Sequence, residues 1–390
     1  MVLTREENEL LTRVGPGTPG GDLLRRYWFP IAPVQELTDE QPTRFVRLLG
    51  EDLILFKDKS GRAGLIQDHC AHRGASLLYG RVEERGIACA YHGWLYDTAG
   101  SCLECPAEPA GSMFHLTVKM QAYPVEKFCG LYWAYLGPLP APAIPHYDLW
   151  VRKDGHHKIY VQPILDCNWL QPMENSVDPA HSRILHAFAT ARRGGTPITN
   201  STRGRTDEVE YFDFYEVPIG IMKKRVSRNG HVDEHPLIFP NILRHGNDTQ
   251  IRVPMDDTHT YVVFVNFMPT EDGSVVDEPD ELSVTYLGPY KEPTGSLYPV
   301  AHYTMKDVQY EDHMAWETQG PVANRSTERL ASSDRGIVML REMLRTEIER
   351  VQRGEEPRGV MRDPNHAVID TNHSTQMHEW ATNSRNRARV

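Results

Sequence analysis

Cys70-Ala71-His72, then sixteen residues, then Cys89-Ala90-Tyr91-His92: no other stretch constrains this chain as strongly. Two thiolates and two neutral imidazoles at this spacing can hold a [2Fe–2S] cluster, with Cys on one iron and His on the other. Neutral ligands in place of anionic ones raise the reduction potential, which suits the site to relaying electrons. Two Cys and two His are also a zinc set. Zinc fingers, however, usually keep the two Cys together and the two His together, whereas each half here carries one of each. That favours iron–sulfur. Each pair follows an apolar run, Ala63-Gly64-Leu65-Ile66 or Ile87-Ala88, and runs into a glycine, Gly74 or Gly93. The expected geometry is a pair of loops, each where a strand gives way to a turn, clamping the cluster from both sides.

With 390 residues there is room for two domains and a sizeable core. Asp and Glu number 53 against 42 Lys and Arg, a net charge of -11, which argues against nucleic acid or an anionic membrane as partner. No apolar run approaches the length of a membrane span, and Met1–Leu11 is polar and acidic without a secretory apolar region. The expected location is cytoplasmic. Cys102 and Cys105 form a C-x-x-C with no helix pattern after it, read as two reduced thiols on a loop. Cys129 and Cys167 read as packed free thiols. Gly15-Pro16-Gly17-Thr18-Pro19-Gly20 satisfies G-x-G-x-x-G, but no strand precedes it and its prolines lack the N–H groups that cradle a pyrophosphate. It reads as a helix stop after Glu6–Val14. With no credible nicotinamide or flavin site, reducing power must come from a separate protein.

Residues 44 to 136 hold short β-rich runs, among them Phe45–Leu49, Asp52–Phe56 and Gly130–Leu136. Four prolines between Gly137 and Pro145 mark a semi-rigid connector and a domain boundary. The expected organisation is an N-terminal helix and turn over 1–26, a small all-β module over 27–140, and a second domain over 141–390. In the last, the run Tyr261–Phe267 is apolar on both faces and predicts a central strand. Asp334–Arg353 predicts a helix, with Ser333 as N-cap and Gly354 at C′. The polar tail from Met361 reads as loosely ordered.

A second metal site is suggested by Asp178-Pro179-Ala180-His181 and His186. Two His and one carboxylate on one face of an iron leave positions open for O2 and substrate. Five residues on an ideal helix separate two side chains by about 140°, so His181 and His186 cannot reach one metal from a straight helix. Pro179 pushes Asp178 out of the α region, so a helix break is expected there.

These motifs carry a family resemblance. His72-Arg73-Gly74-Ala75 and Tyr91-His92-Gly93-Trp94 look like a Rieske domain, and the segment from Asp178 to His186, preceded by Cys167-Asn168-Trp169, resembles the D-x-x-H-x-x-x-x-H motif of Rieske non-haem iron oxygenases. The opening Leu3–Leu11, the Gly320-Pro321 helix end and the stretch Arg325–Leu330 are similar to the phthalate-dioxygenase subgroup of alpha, or terminal oxygenase, subunits. The resemblance implies an α+β chain: an all-β Rieske domain plus an antiparallel-sheet catalytic domain with flanking helices, helix-grip-like. It implies a [2Fe–2S] cluster on Cys70, His72, Cys89 and His92, and a mononuclear Fe(II) on His181, His186 and a downstream aspartate. Helical periodicity selects that aspartate. From Thr304 to Gln319, Met305, Val308, Asp312, Ala315 and Trp316 share one stripe, with Asp312 near its centre, while Asp307, Glu311 and Glu317 point away. Asp178 is, by the same resemblance, a bridge from His181 to His92 of a neighbouring subunit in a homotrimer or hexamer; it could also cap the helix before Pro179. Implied partners are O2, an aromatic substrate, carboxylated by preference, and a separate NAD(P)H-dependent reductase or ferredoxin. Implied chemistry is cis-dihydroxylation or hydroxylation of an aromatic ring, as in aromatic hydrocarbon catabolism. The alternative is O-demethylation of a methoxylated aromatic or biphenyl acid, of the vanillate or 5,5'-dehydrodivanillate type. A rival of another class, a Rieske electron-transfer protein, is disfavoured by the 250 or so residues that carry the second site. Arg244, in the apolar run from Ile238, is a candidate carboxylate clamp or an arginine with its stem packed, with Arg205 a weaker candidate.

Overall fold

The structure, a computed structural model, describes residues 2–182, 184–186, 209–292 and 302–371. Arg205 lies outside the described residues. The chain divides into two compact units: Arg25–Pro142 with Glu278–Leu282, and Met1–Leu24 with Ala143–Asp277 and Ser283–Val390. The proline-rich stretch contains the boundary, between Pro142 and Ala143. Among the described residues no helix is long and apolar enough to cross a membrane.

The first unit is built from short strands: β1 (Trp28–Pro33), β2 (Thr43–Leu48), β3 (Glu51–Lys57), β4 (Ala63–Gln67), β5 (Arg81–Glu83), β6 (Gly86–Ala88), β7 (Leu95–Tyr96), β8 (Cys102–Glu104), β9 (Ala122–Tyr123), β10 (Val125–Phe128) and β11 (Leu131–Tyr135). They form three sheets, ordered β1-β11-β10, β2-β3-β4-β9 and β5-β6-β7-β8. Ile54, Phe56 and Ile66 meet Ile87, Trp94 and Tyr96 in one core, each such buried side chain contributing about 1.5–3 kcal/mol. Gly86 is obligatory, since a Cβ there would lie 1.9 Å from the Tyr96 carbonyl oxygen. The β10–β11 hairpin turns on Cys129 and Gly130, both at positive φ (47° and 70°), the pattern of a type I′ turn. Cys129 is thus a half-buried turn residue rather than a core thiol; Cys167 is fully buried.

The second unit has a two-stranded sheet of Lys291–Glu292 and His302–Tyr303 and one large sheet of β12 (Gly155–Val161), β13 (Val209–Val217), β14 (Gly220–Ser227), β15 (Val232–Ile238), β16 (Ile242–His245), β17 (Asp248–Pro254), β18 (Thr260–Pro269) and β19 (Ser283–Tyr286). The order of the large sheet is β13-β14-β15-β16-β17-β18-β12-β19, antiparallel except for β12 and β19. β18 holds the apolar run from Tyr261 and is interior, as its sequence predicts. The described helices of this unit are α1 (Arg5–Thr12), α2 (Pro19–Leu24), α3 (Asp148–Val151), α4 (Leu170–Ser176), α5 (Val308–Glu317) and α6 (Arg335–Gln352).

Local chemistry sets the helix ends. α1 begins with a reciprocal capping box between Thr4 and Glu7. The G-x-G-x-x-G stretch does more than stop it: Pro19 opens α2, whose Gly20 and Gly21 pack so closely that Cβ atoms would fall 2.7 Å from the Arg13 carbonyl oxygen and 2.3 Å from that of Gly15. α5 starts four residues later than the apolar stripe, because the Asp307 carboxylate accepts from the Gln309 and Tyr310 N–H groups and fixes the N-terminus. At α6 the N-cap position falls to Asp334 rather than Ser333, and Gly354, at φ 79°, follows the C-cap as expected. The tail is ordered further than its polarity suggests. Ile369 N–H donates to the His146 carbonyl, and Thr371, fully buried, binds Asp148.

α4 is held by a buried ion network. The Glu174 carboxylate accepts from Arg325 Nε (2.9 Å) and Nη2 (2.8 Å) and from Arg341 Nε (2.7 Å) of α6. Arg325 also donates to Asn8 of α1, and Arg341 pairs with Glu328. Burial alone would raise the Glu174 pKa; the two guanidinium groups outweigh it and hold the carboxyl below its ordinary value. A depressed carboxyl stabilises the fold above its unfolded pKa, near 4.5, and that contribution fades as pH falls through the native value. Glu174→Gln leaves buried cations short of an anion and is expected to cost about 3–5 kcal/mol at neutral pH. Melting temperature measured against pH should show the gap from wild type constant above about pH 5 and closing in acid.

Candidate metal centres

The two Cys-His loops share one backbone frame. In the first, Cys70 N–H donates to the Ala75 carbonyl (3.0 Å) and Gly74 N–H to the Cys70 carbonyl (2.9 Å); in the second, Cys89 N–H donates to the Trp94 carbonyl and Gly93 N–H to the Cys89 carbonyl (2.9 Å each). Both glycines take φ 74°, a left-handed turn that a β-carbon would strain. The histidine is the third residue of one frame and the fourth of the other. The imidazoles of His72 and His92 nevertheless meet, centroids 4.5 Å apart, with His72 stacked on Trp94 at 4.4 Å. The two thiols are buried. Burial pushes the Cys70 thiol up, the Tyr96 hydroxyl 3.2 Å away favours the thiolate, and the neighbouring Cys89 opposes it. A cationic iron is what would stabilise both thiolates there, so the donor set fits the cluster. Cys102 and Cys105, with Sγ atoms 3.6 Å apart, pack in the same core, and burial pushes Cys102 up to about 12. Both are buried, packed thiols, Cys102 opening β8 rather than lying on a loop.

The second centre lies in the other unit. α4 ends at Ser176, Asp178 to Ala180 form a turn, and helix resumes at His181, so the break falls where Pro179 requires it. This lets His181 Nε2 and His186 Nε2 approach Asp312 Oδ1, to 3.9 and 3.5 Å. The three donor atoms lie within 4.8 Å of one another. Glu311 Oε2 hydrogen-bonds His186 Nδ1 at 3.1 Å, whereas Asp178 Oδ2 lies 3.5 Å from His181 Nδ1, near enough to act on it by charge but not in hydrogen-bond geometry. Those carboxylates favour a proton on Nδ1 and leave the Nε2 lone pairs facing Asp312 Oδ1, itself buried without a hydrogen-bond partner among the described residues. Three electron-rich atoms aimed at one point need a cation between them. Burial pushes the Asp312 carboxyl up to about 6 and the His186 imidazole down to about 4. Two imidazoles and a buried carboxylate converging in this way are a fitting set for Fe(II). Asp178 also caps the turn, its Oδ1 accepting from the Ala180 N–H (2.8 Å).

Two carboxylates behave differently from the helical projection. Glu311 and Glu317 lie off the Asp312 stripe but are buried. Glu311 orients His186, and Glu317 accepts from Asp166 N–H, Lys291 and Tyr303, fixing the C-terminal end of α5. The projection overlooked them because it assumed one buried stripe, whereas α5 is enclosed on several sides. Two cations were also missed, Arg252 and Lys223, whose charges both bear on Asp312. Arg252 is 1% exposed and donates to Gln250 through Nη1 and Nη2.

Arg244 belongs to the other side of the sheet. Directly paired residues share a face, and Arg244 pairs with Thr249. Thr249 accepts from Trp150 of α3, and Arg244 Nη1 donates to Asp148 of α3 (3.0 Å) and to Thr371 (2.7 Å). The next residue in β17, Gln250, pairs with Phe264, which packs with Trp316 of α5 on the opposite face. The carboxylate that Arg244 holds is the chain's own Asp148. A guanidinium 2% exposed needs such a partner, and the expectation of a substrate clamp at this residue is corrected.

Comparison with known proteins agrees with this geometry. Residues 27–124 match the Rieske [2Fe-2S] domain, and residues 300–378 match a LigXa C-terminal domain like family. The chain is 38% identical to the 5,5'-dehydrodivanillate O-demethylase oxygenase subunit of Sphingobium sp., over 93% of this chain and 84% of that protein. It is 34% identical to the phthalate 4,5-dioxygenase oxygenase subunit of Pseudomonas putida, over 92% of this chain and 89% of that one. Among solved structures, Pseudomonas putida CBB5 NdmB superimposes with a TM-score of 0.60 at 20% identity, covering 85% of this chain and 93% of its own. The oxygenase in a ferredoxin complex of carbazole 1,9a-dioxygenase does so at 0.59 and 18%, covering 88% and 94%. These likenesses carry the fold.

The His186 environment can be tested by metal content. Asp312→Ala is expected to abolish mononuclear iron binding. Glu311→Gln should weaken it about 10- to 100-fold through the loss of an anionic partner on His186. Asp307→Ala, which removes a helix cap, should leave the iron in place while lowering the melting temperature. Iron titration of each purified variant, with the cluster absorbance as internal standard, reads all three.

Proposed function

The chain belongs to the Rieske non-haem iron oxygenases, as a terminal oxygenase subunit of the phthalate-dioxygenase-like kind, and on that premise we propose that it oxygenates an anionic aromatic compound at His181, His186 and Asp312. When bound, the [2Fe–2S] cluster supplies electrons one at a time and Fe(II) supplies O2 activation. The observation that carries the reading is the approach of two imidazole Nε2 atoms to an unpartnered, buried carboxylate oxygen, in a chain that also carries two Cys-His loops. This separates it from a simple electron carrier. The chain's own residues set the His186 tautomer through Glu311, place the Asp178 charge beside His181 and hold the His181 turn through Asp178 and Pro179.

Two reactions share this site. Ring cis-dihydroxylation takes up O2, two electrons and two protons and yields a dihydrodiol. O-demethylation takes the same inputs and yields a phenol, formaldehyde and water. The 38% relative named for an O-demethylase favours the second, and the relatives named for phthalate and phenoxybenzoate favour an aromatic acid in either case. Members of the family work with a separate reductase or ferredoxin. For this chain we propose an NAD(P)H-dependent one, a cytoplasmic setting that keeps Cys70 and Cys89 reduced, and a ring of three subunits in which Asp178 links His181 to His92 of a neighbouring copy.

Oxygen uptake with a surrogate reductase, over methoxylated and unmethoxylated aromatic acids, tests the reading. Formaldehyde release identifies demethylation and a dihydrodiol identifies dioxygenation; absence of O2-dependent product from every class would overturn it. Cys70→Ser and Cys89→Ser should each abolish the visible cluster absorbance. Asp178→Asn keeps the size but not the anion. It should leave both metal centres loaded while slowing oxidation of the pre-reduced cluster severely, measured by rapid mixing with substrate and O2.

A further inference from the structure

The sheet face beneath α5 is arranged in transverse rows. Ile221, Leu237, Leu243, Gln250, Phe264 and Tyr160 form one, through the pairs Ile221–Leu237, Leu237–Leu243, Leu243–Gln250, Gln250–Phe264 and Phe264–Tyr160. It is apolar apart from Gln250 and the Tyr160 hydroxyl. Two residues along each strand runs a polar row: Lys223 opposite His235, the His235 and His245 rings 4.5 Å apart, His245 opposite Asp248, and Asp248 opposite Asn266. Both rows lie on the face that Trp316 of α5 packs against. A flat ring bearing a charged substituent matches this pattern.

Among the cations of this face, Lys223 stands apart. Arg225 is paired with Asp233, which also binds His235 at 2.8 Å. Arg252 lies below the surface with Nη1 and Nη2 committed to Gln250. Lys223 is part-exposed, and its one hydrogen bond among the described residues goes from Nζ to the Ser176 carbonyl (3.0 Å) at the end of α4. No carboxylate of the described residues lies within ion-pairing distance of it. Burial draws its ammonium down to about 8, although the charges of Asp178 and Asp233 act in the opposite direction. Its charge bears on Asp312, and the Ser176 carbonyl it binds lies two residues before Asp178.

We propose that Lys223 anchors the anionic oxygen of the aromatic substrate, a carboxylate or a phenolate, with the ring toward Leu243 and Phe264, the least enclosed apolar residues of the neighbouring row. This rests on the oxygenase reading and names the substrate feature that the site selects. The row spacing orients the ring, because the charged end is fixed on one row and the apolar body on the next. A lysine that only caps α4 would not distinguish an anion from its neutral ester.

The test is calorimetric binding to protein loaded with both iron centres, without O2, using para-methoxybenzoate, its methyl ester and para-nitrophenolate. Wild type should bind the carboxylate more tightly than the ester, and the nitrophenolate arm decides which oxyanion is preferred. Lys223→Gln should weaken binding of the preferred anion about 10- to 100-fold and leave the ester unchanged, the scale of a lost charge-assisted hydrogen bond. Lys223→Arg should restore most of the loss. Lys224→Gln, one residue along and paired with Glu234, should behave as wild type. Equal losses for acid and ester, an unchanged ratio in Lys223→Gln, or no anion preference in wild type would overturn the anchor. Should Lys223→Gln fail to fold, wild type still decides: reductive methylation of Lys223, followed by mass spectrometry, should be slowed by the anion and not by the ester. Protection by both or by neither would overturn it. Charge-selective binding without O2-dependent product would leave the anchor standing and sink the oxygenase reading. Product formed equally from acid and ester would do the reverse.

Discussion

The structure of the second unit depends on a repulsion. His181 Nε2, His186 Nε2 and Asp312 Oδ1 are all electron-rich, and the fold holds them close. Nothing about an apolar core would assemble such a group. It is kept together by the parts behind it: Glu311 on one imidazole, Asp178 on the other, Glu317 locked to Lys291 and Tyr303 at the end of α5, and Glu174 clamped by two arginines in α4. The carboxylates outside the cluster are as necessary to its geometry as those inside it, because a ligand that can turn away from its neighbours relieves the repulsion by doing so.

The first unit solves a milder version with backbone alone. The Cys and Gly of each loop fix the frame through two main-chain hydrogen bonds, and the histidine is placed by whichever residue of the frame it occupies. Side chains are then free to tune rather than to build. Tyr96 sets its hydroxyl on one thiol, and Trp94 backs one imidazole.

Much of this was legible in the chain. The Cys-His loops are local, so spacing and glycines suffice to place them. The break at Asp178 follows from Pro179, and Asp312 from the helical period. What was hidden depended on partners far away in sequence. Arg244 and Arg252 are both arginines within apolar strands, and nothing near either says which face it takes; the pairing of β16 with β17 decides it. Glu311 reads as solvent-facing on any projection with one buried stripe, and only the enclosure of α5 reveals it as a partner of His186. Lys223 is one of two adjacent lysines, indistinguishable until α4 is seen above one of them. The Arg325–Leu330 stretch is recognisable by resemblance, yet its purpose, gathering α1, α4 and α6, is a three-dimensional fact.

The alternation that misplaced Arg244 has a consequence for how such a protein can change. The central strands β16 and β17 give alternate side chains to the face under α5 and those between, Arg244 and Thr249, to the packing against α3 and Thr371. A substitution at Leu237, Leu243 or Phe264 therefore reshapes one compartment and leaves the other as it was. Chemical preference and mechanical integrity are written in interleaved letters of the same strands, so a lineage can drift toward new aromatic compounds by single point changes without renegotiating its fold.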